Sequence, residues 1–311
     1  TKTFTGRPDN EWLNTDQFTF VLAADTSDEA TAEAVKNGEI VLPDDTLVVD
    51  NTNNTSAAFG NITFKAAGTY KFTVTETDGG IAGVDYDTEP RTITVQVTDM
   101  QNGTMEASVV EEESDELTFN NTYKTTSTDL DGDKNLTVTK NFTGRADDEW
   151  LKDDAFTFTL TADPDEEDQT TQKAINEGIV NLPDNASGLT IGADTEGHKA
   201  AFENITFKEP GIYQFVVSEK HAGETIDGIT YDDAVKHVII HVKDNTDGTL
   251  TAQLDENSDS LVFKNTYDTQ STTLIGAENL EVTKNFTGRP DNEWLDGDKF
   301  SFSIAAKTII L

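Results

Sequence analysis

Thr139-Lys-Asn-Phe-Thr-Gly-Arg-Ala-Asp-Asp-Glu-Trp-Leu151 decides how the chain is read, because it occurs three times. It matches Thr1-Lys-Thr-Phe-Thr-Gly-Arg-Pro-Asp-Asn-Glu-Trp-Leu13 and returns as Thr283-Lys-Asn-Phe-Thr-Gly-Arg-Pro-Asp-Asn-Glu-Trp-Leu295. The spacing is 140 − 2 = 138 residues and then 284 − 140 = 144. Further matches lie between these anchors: Asn61-Ile-Thr-Phe-Lys65 with Asn204-Ile-Thr-Phe-Lys208, and Leu117-Thr-Phe-Asn-Asn-Thr-Tyr123 with Leu261-Val-Phe-Lys-Asn-Thr-Tyr267. Such self-similarity means a tandem architecture. The reading is two whole modules, 1–127 and 136–268, joined by a polar linker, 128–135. A second linker, 269–279, leads into the truncated start of a third module, 280–311. That third copy stops soon after Phe300-Ser-Phe-Ser-Ile304, so it is not expected to fold alone, and the chain reads as a piece of a longer array.

Inside each module, short alternating runs such as Phe18-Thr-Phe-Val-Leu22 and Tyr70-Lys-Phe-Thr-Val74 are separated by Gly, Asn and Asp clusters, the pattern of strands and turns. The fold class is therefore all-β, and this many short strands in one module predicts a two-sheet sandwich. One inserted helix is predicted at Asp28–Lys36, with Ser27 as cap and Gly38 as stop, matched by Glu166–Glu177.

A formal charge of 22 − 59 = −37 argues against polyanionic partners, so neither nucleic acid nor an anionic membrane surface is expected. No apolar run is long enough for a membrane-spanning helix, and no membrane insertion is expected. With no cysteine, stabilisation by disulfides and metal binding by thiolates are both excluded.

Strand parity then singles out three polar positions per module. Leu136, Val138, Lys140 and Phe142 share a face, as do Tyr213, Phe215, Val217 and Glu219, and Leu261, Phe263, Asn265 and Tyr267. Lys140, Glu219 and Asn265 thus point inward with apolar neighbours. The first module repeats the arrangement with Lys2 beside Phe4, Glu76 after Val74, and Asn121 after Phe119. Burying an unpaired ammonium or carboxylate is so costly that the group tends to become neutral. A neutral Lys amine is a nucleophile. It can attack the side-chain amide carbon of Asn if a protonated Glu polarises the amide oxygen and relays protons, releasing ammonia and leaving a Lys–Asn isopeptide bond. The bland alternative is a buried Lys–Glu ion pair with Asn bonded to backbone.

The inward Lys, the Tyr-x-Phe-x-Val-x-Glu strand and the closing Phe-x-Asn-Thr-Tyr resemble the isopeptide-forming domains of Gram-positive pilins and surface adhesins, the streptococcal major-pilin type above all. The resemblance implies tandem Ig-like (CnaB-like) sandwiches. It also implies bonds from Lys2 to Asn121 with Glu76 as catalytic residue, and from Lys140 to Asn265 with Glu219. The first module lacks an equivalent of Leu136-Thr137-Val138 ahead of its Lys. Lys284 has the strand context, with Leu280, Val282 and Phe286, but its Glu and Asn partners are absent from the sequence, so it is expected to be unreacted.

Other constellations are weaker. His237-Val-Ile-Ile-His241 suits a metal only on a helix; on a strand the two rings stand roughly 13 Å apart. The run Asp129–Asn135 fails the calcium-loop pattern at Lys134 and Lys140. No metal, cofactor or external-substrate enzyme activity is expected; chemistry is confined to single-turnover cross-linking. The function expected is a structural stalk or shaft repeat of an extracellular, cell-wall-anchored surface protein, whose partners are neighbouring repeats. The alternative is an adhesin module that binds a host protein or glycan through the divergent loops Asp44–Ser56 and Asp184–Gly197. The Gly-Arg-x-Asp-x-Glu-Trp-Leu segment has no role assigned by this reading.

Overall fold

The computed structural model describes residues 1–7, 11–43, 46–52, 56–146 and 149–306. Residues 1–268 form one unit and 269–311 another. Within the first unit lie two separate apolar cores, one per repeat.

Each core is closed between two sheets. In the second module the larger sheet runs Leu189–Gly192, Ala155–Ala162, Gly211–Glu219, Lys236–Asp244, Leu250–Leu254, antiparallel throughout. The facing sheet runs Lys199–Ala201, Thr137–Thr143, Val262–Tyr267, Ile229–Thr230, Thr225–Ile226. Its central pair, first strand against last, is parallel, with Lys140 opposite Phe263 and Phe142 opposite Asn265. The first module repeats this pairing, with Lys2 opposite Phe119 and Phe4 opposite Asn121, and its larger sheet has the same order. Alternation fixes the faces: in Thr137–Thr143 the inward Val138, Lys140 and Phe142 are buried while Asn141 and Thr143 are exposed. Phe156, Phe158, Phe215 and Phe263 are buried almost without remainder, each contributing about 1.5–3 kcal/mol of transfer free energy.

The inserted helix of the first module is Glu29–Lys36, capped by Asp28 rather than Ser27: its carboxylate accepts the Thr31 N–H at 3.0 Å. A carboxylate one position closer to the first turn satisfies the orphan donor and favours the helix dipole. In the second module Glu166 takes this task, accepting the Thr171 N–H at 2.8 Å ahead of Thr170–Asn176.

The stretch 128–135, read from sequence as a linker, is structured. Thr128–Leu130 pairs antiparallel with Ile205–Phe207, and Gly132–Asn135 is a helical turn capped by Asp131. Leu130 is buried in the second core, which explains why the polar run contains one leucine. The two modules touch at Tyr123, the last residue of the first module's closing strand. Its hydroxyl donates to Asp244 Oδ1 at 2.8 Å and accepts the Gly248 N–H at 2.9 Å. Gly83 and Gly248 approach so closely there, both at positive φ, that a Cβ on Gly83 would stand 2.8 Å from the Gly248 Cα.

Residues 269–306 are different. Among the described residues of that unit there is a helical turn, Gly276–Asn279, and a 3-10 turn, Pro290–Asn292, but no strand. Leu280, Val282, Phe302 and Ile304 are more than half exposed.

Candidate functional site

Inward parity carries Lys140 into the second core between Val138 and Phe142, and the parallel neighbour brings Asn265 beside it. Glu219 ends the strand Gly211–Glu219 of the opposite sheet, so the three side chains join the two layers. Lys140 Nζ donates to Glu219 Oε2 at 2.8 Å, and Asn265 Nδ2 donates to Glu219 Oε1 at 2.9 Å. The amide oxygen of Asn265 accepts the main-chain N–H of Asp232 at 2.7 Å. Lys140 Nζ stands 4.9 Å from the Phe156 ring centroid and 5.8 Å from that of Phe158. All three residues are at least 97% buried.

The first module repeats this bond for bond. Lys2 Nζ donates to Glu76 Oε2 at 3.2 Å, Asn121 Nδ2 to Glu76 Oε1 at 2.6 Å, and the Asp87 N–H to Asn121 Oδ1 at 2.8 Å. Phe18 lies 4.7 Å from the Lys2 amine. Thr1 continues the ladder that carries Lys2: its amino group donates to the Leu117 carbonyl at 2.7 Å.

Burial dominates the electrostatics. The Lys and Glu side chains expose no surface in either pair. Loss of solvent pushes Lys2 down to about 8 against the attraction of Glu76, and pushes Lys140 down against Glu219. The same desolvation raises both glutamates, opposed by the lysines and by the Asn hydrogen bonds. Both shifts favour the pair in which the proton has passed from ammonium to carboxylate. Glutamate sits on the amide nitrogen, the atom that would leave, while the amide oxygen is polarised by a backbone N–H rather than by Glu. Asp87 and Asp232 were missed because a main-chain donor has no residue-type signature. Their only trace in sequence is the shared Tyr-Asp pair, Tyr86-Asp87 and Tyr231-Asp232.

The Spy0128-like isopeptide-containing domain family, FctA, matches residues 1–124 and 136–268. The chain belongs to this family. Among solved structures it is similar to the major pilin of Streptococcus pyogenes (18% identity, 86% of this chain and 96% of that one, TM-score 0.32). It is also similar to the T-13 major pilin of the same species (19%, 86% and 95%, TM-score 0.28). A third similar structure is the pilus adhesin SpaC of Lactobacillus rhamnosus GG (17%, 86% and 30%, TM-score 0.19). No curated protein matches the chain. FctA-type modules are structural pilin domains of Gram-positive surfaces, and no helix among the described residues is long and apolar enough to cross a membrane.

The unassigned segment now has a structural role in each FctA module. Arg145 pairs with Asp154, whose carboxylate also accepts the Leu151 N–H at 2.6 Å, and its guanidinium stacks 4.9 Å from the rings of Phe142 and Tyr267. Trp150 meets Phe142 and Phe156 edge-on at 5.7 and 5.2 Å. The segment is thus a corner that holds the Lys-bearing strand and one wall of the amine pocket. Arg7, Asp16, Trp12, Phe4 and Phe18 repeat it; residues 8–10 and 147–148 within it lie outside the described residues. The decisive acid, Asp16 or Asp154, follows the repeated motif and was not singled out from sequence.

Lys284 belongs to the same corner, with Arg289 bound to Asp298 and Phe286, Trp294 and Phe300 in edge contact. It is nevertheless exposed, donating to the Asn285 carbonyl at 3.0 Å. His237 and His241 face separate carboxylates, Asp163 at 3.0 Å and Asp255 at 2.7 Å. No group of three or more metal-ligating side chains occurs among the described residues. Of the divergent loops, residues 44–45 and 53–55 lie outside the described residues.

Proposed function

We propose that each complete module closes a Lys–Asn isopeptide bond, Lys2 to Asn121 and Lys140 to Asn265, and that the cross-linked pair serves as shaft repeats of a wall-anchored Gram-positive surface polymer. The observation that carries this reading is the duplicated dry triad, identical in its hydrogen bonds, which joins the first and last strands to the opposite sheet.

The step balances within the site. Proton transfer to Glu219 frees the Lys140 amine, which attacks Cγ of Asn265; the Asp232 N–H stabilises the negative charge that grows on the amide oxygen. The Nζ–Cγ bond forms and the Cγ–Nδ2 bond breaks. Glutamate, already hydrogen-bonded to Nδ2, returns its proton to the departing nitrogen, takes the excess proton from Nζ and passes it on with the ammonia. The chemistry is a single turnover on the protein itself. A bond between the first and last strands lets tension pass from Lys2 to Asn121 without extending the 119 residue steps between them (121 − 2). That suits a module loaded end to end.

The test is digestion of the purified chain. The reading expects one branched peptide containing Lys140 and Asn265 and another containing Lys2 and Asn121. Linear peptides carrying free Lys140 and intact Asn265 would overturn it.

A further inference from the structure

The main-chain donor to each asparagine belongs to an aspartate whose side chain is also engaged. Asp232 Oδ2 accepts the main-chain N–H of Lys264 at 2.6 Å, and Asp87 Oδ2 accepts that of Asn120 at 3.0 Å. Lys264 and Asn120 immediately precede Asn265 and Asn121. Each carboxylate is held in turn: Asp232 Oδ1 accepts the Ala234 N–H at 3.0 Å, and Asp87 Oδ2 accepts Arg91 Nη2 at 2.7 Å.

Register explains the placement. Ile229 lies opposite Tyr267 and Thr230 opposite Thr266 in an antiparallel pair. Continued by two residues, the same register sets Asp232 opposite Lys264. In the first module Val84 lies opposite Tyr123 and Asp85 opposite Thr122, which sets Asp87 opposite Asn120 in the same way. The paired strands stop at Thr230 and Asp85. At the aspartate, therefore, a carboxylate takes the N–H that a main-chain carbonyl would take in a continuing ladder. The aspartate's own N–H, which that ladder would direct to the opposite carbonyl, goes instead to the asparagine side-chain oxygen.

We propose that Asp232 and Asp87 are positioning residues for bond closure: each carboxylate ties down the strand beside its asparagine, so that the aspartate's N–H holds the amide oxygen and the amide nitrogen is left to Glu. The role presupposes the Lys–Asn closure proposed above. A primary amide can turn end for end. Turned over, Asn265 would set its nitrogen, a donor, against the Asp232 N–H and its oxygen against Glu219, and the proton meant for the leaving nitrogen would have no path to it. The carboxylate acts through the geometry of the amide and touches none of the atoms whose bonds form or break.

The experiment follows closure in the full chain. Chains carrying Asp232→Ala, Asp87→Ala or Asp87→Asn are isolated at fixed times after a short pulse of synthesis, and the unclosed fraction of each module is read from intact mass and branched peptides. The untouched module of the same chain is the internal control. Asp232→Ala is expected to slow closure of Lys140 to Asn265 by about ten- to a hundred-fold, the scale of a misplaced reacting group, and to leave Lys2 to Asn121 at its wild-type rate. Asp87→Ala is expected to do the converse. Asp87→Asn should restore most of the rate, because Asp87 takes Asn120 and Arg91 on one oxygen, which an amide oxygen can replace. Asp259→Ala removes a like bond elsewhere in the second module, from the His237 N–H at 2.8 Å, and should leave closure unchanged. Amide exchange in the strands Lys236–Asp244 and Arg91–Asp99 separates slowed closure in a folded module from loss of the fold. Wild-type closure in either alanine variant, or equal slowing by Asp87→Asn or by Asp259→Ala, overturns the proposal. Loss of the fold in both alanine variants also counts against it, as the mark of a purely structural aspartate. A wild-type chain that never loses ammonia overturns the cross-link reading itself and leaves each aspartate the cap of a ladder.

Discussion

The second module and the third copy share the same first-strand chemistry and end in opposite states. Lys140 and Lys284 both follow Leu-x-Val-Thr, both precede an Asn-Phe-Thr-Gly-Arg corner, and both lie 4.9 Å from a phenylalanine ring. Lys140 is 1% exposed and bonded to Glu219, whereas Lys284 is exposed and bonded to a neighbouring carbonyl. The local sequence therefore builds the corner but not the site. What converts a surface lysine into a desolvated one is the far end of the module, Glu219 and Asn265, 79 and 125 residues along. The first module keeps the same triad, Lys2 with Glu76 and Asn121, on its own parallel pair of first and last strands.

The largest effect that would break this comparison is loss of the proposed Lys140–Asn265 bond. With that bond in place, Asn265→Ala would open a loop of 265 − 140 = 125 residue steps. Closing a loop of that order is worth about 4.7 kcal/mol in the chain-entropy account, so the second module's melting midpoint should fall by roughly 10–20 °C. The first module's midpoint should stay in place. Scanning calorimetry of the full chain resolves the two; an unchanged second midpoint would place the stability elsewhere.

Next comes the corner. Trp150→Ala removes two edge contacts on the wall of the amine pocket and should cost about 2–4 kcal/mol by denaturant unfolding. Trp294→Ala, at a tryptophan that is half exposed and belongs to the other unit, should leave both module transitions within about 0.5 kcal/mol of wild type.

A smaller effect sharpens the electrostatics. In a bond-free Asn121→Ala chain, folded Lys2 releases its proton near pH 8 and the unfolded lysine near its ordinary 10.5. Between these values the unfolded chain holds more protons, so stability should rise with pH across that window. Glu76, raised by burial, acts in the opposite sense: above its ordinary 4.5, and up to its raised value, the folded state holds the proton and stability falls as pH rises. Chemical denaturation of the first module at a series of pH values checks both signs. A flat profile from pH 8 to 10.5 would contradict the desolvated amine.

The smallest concerns the joint between modules. Tyr123→Phe removes the hydroxyl that meets Asp244 and Gly248 and should cost about 1 kcal/mol of coupling without affecting either proposed cross-link, read as loss of amide protection at Gly248.

Much of this was legible in the sequence, for a physical reason: a period of two fixes faces, so Lys140, Glu219 and Asn265 could be placed inward from their apolar companions alone. The repeat then supplied a second copy of the same exception. Main-chain chemistry was not legible. The N–H groups of Asp87 and Asp232 meet the Asn side-chain oxygens by main-chain position, and no side-chain pattern announces them. The strand Thr128–Leu130 and the turn Gly132–Asn135 were also hidden, since a polar stretch with one buried leucine has the composition of a linker. The acids of the corner, Asp16 and Asp154, lie outside the repeated motif that made the corner visible.

The central claim is tested most directly by the intact mass of the purified chain. The account predicts a deficit of two ammonia molecules, one for each complete module, falling to one in Glu219→Ala. A full sequence mass in folded protein would contradict it and leave Lys2 with Glu76, and Lys140 with Glu219, as buried ion pairs.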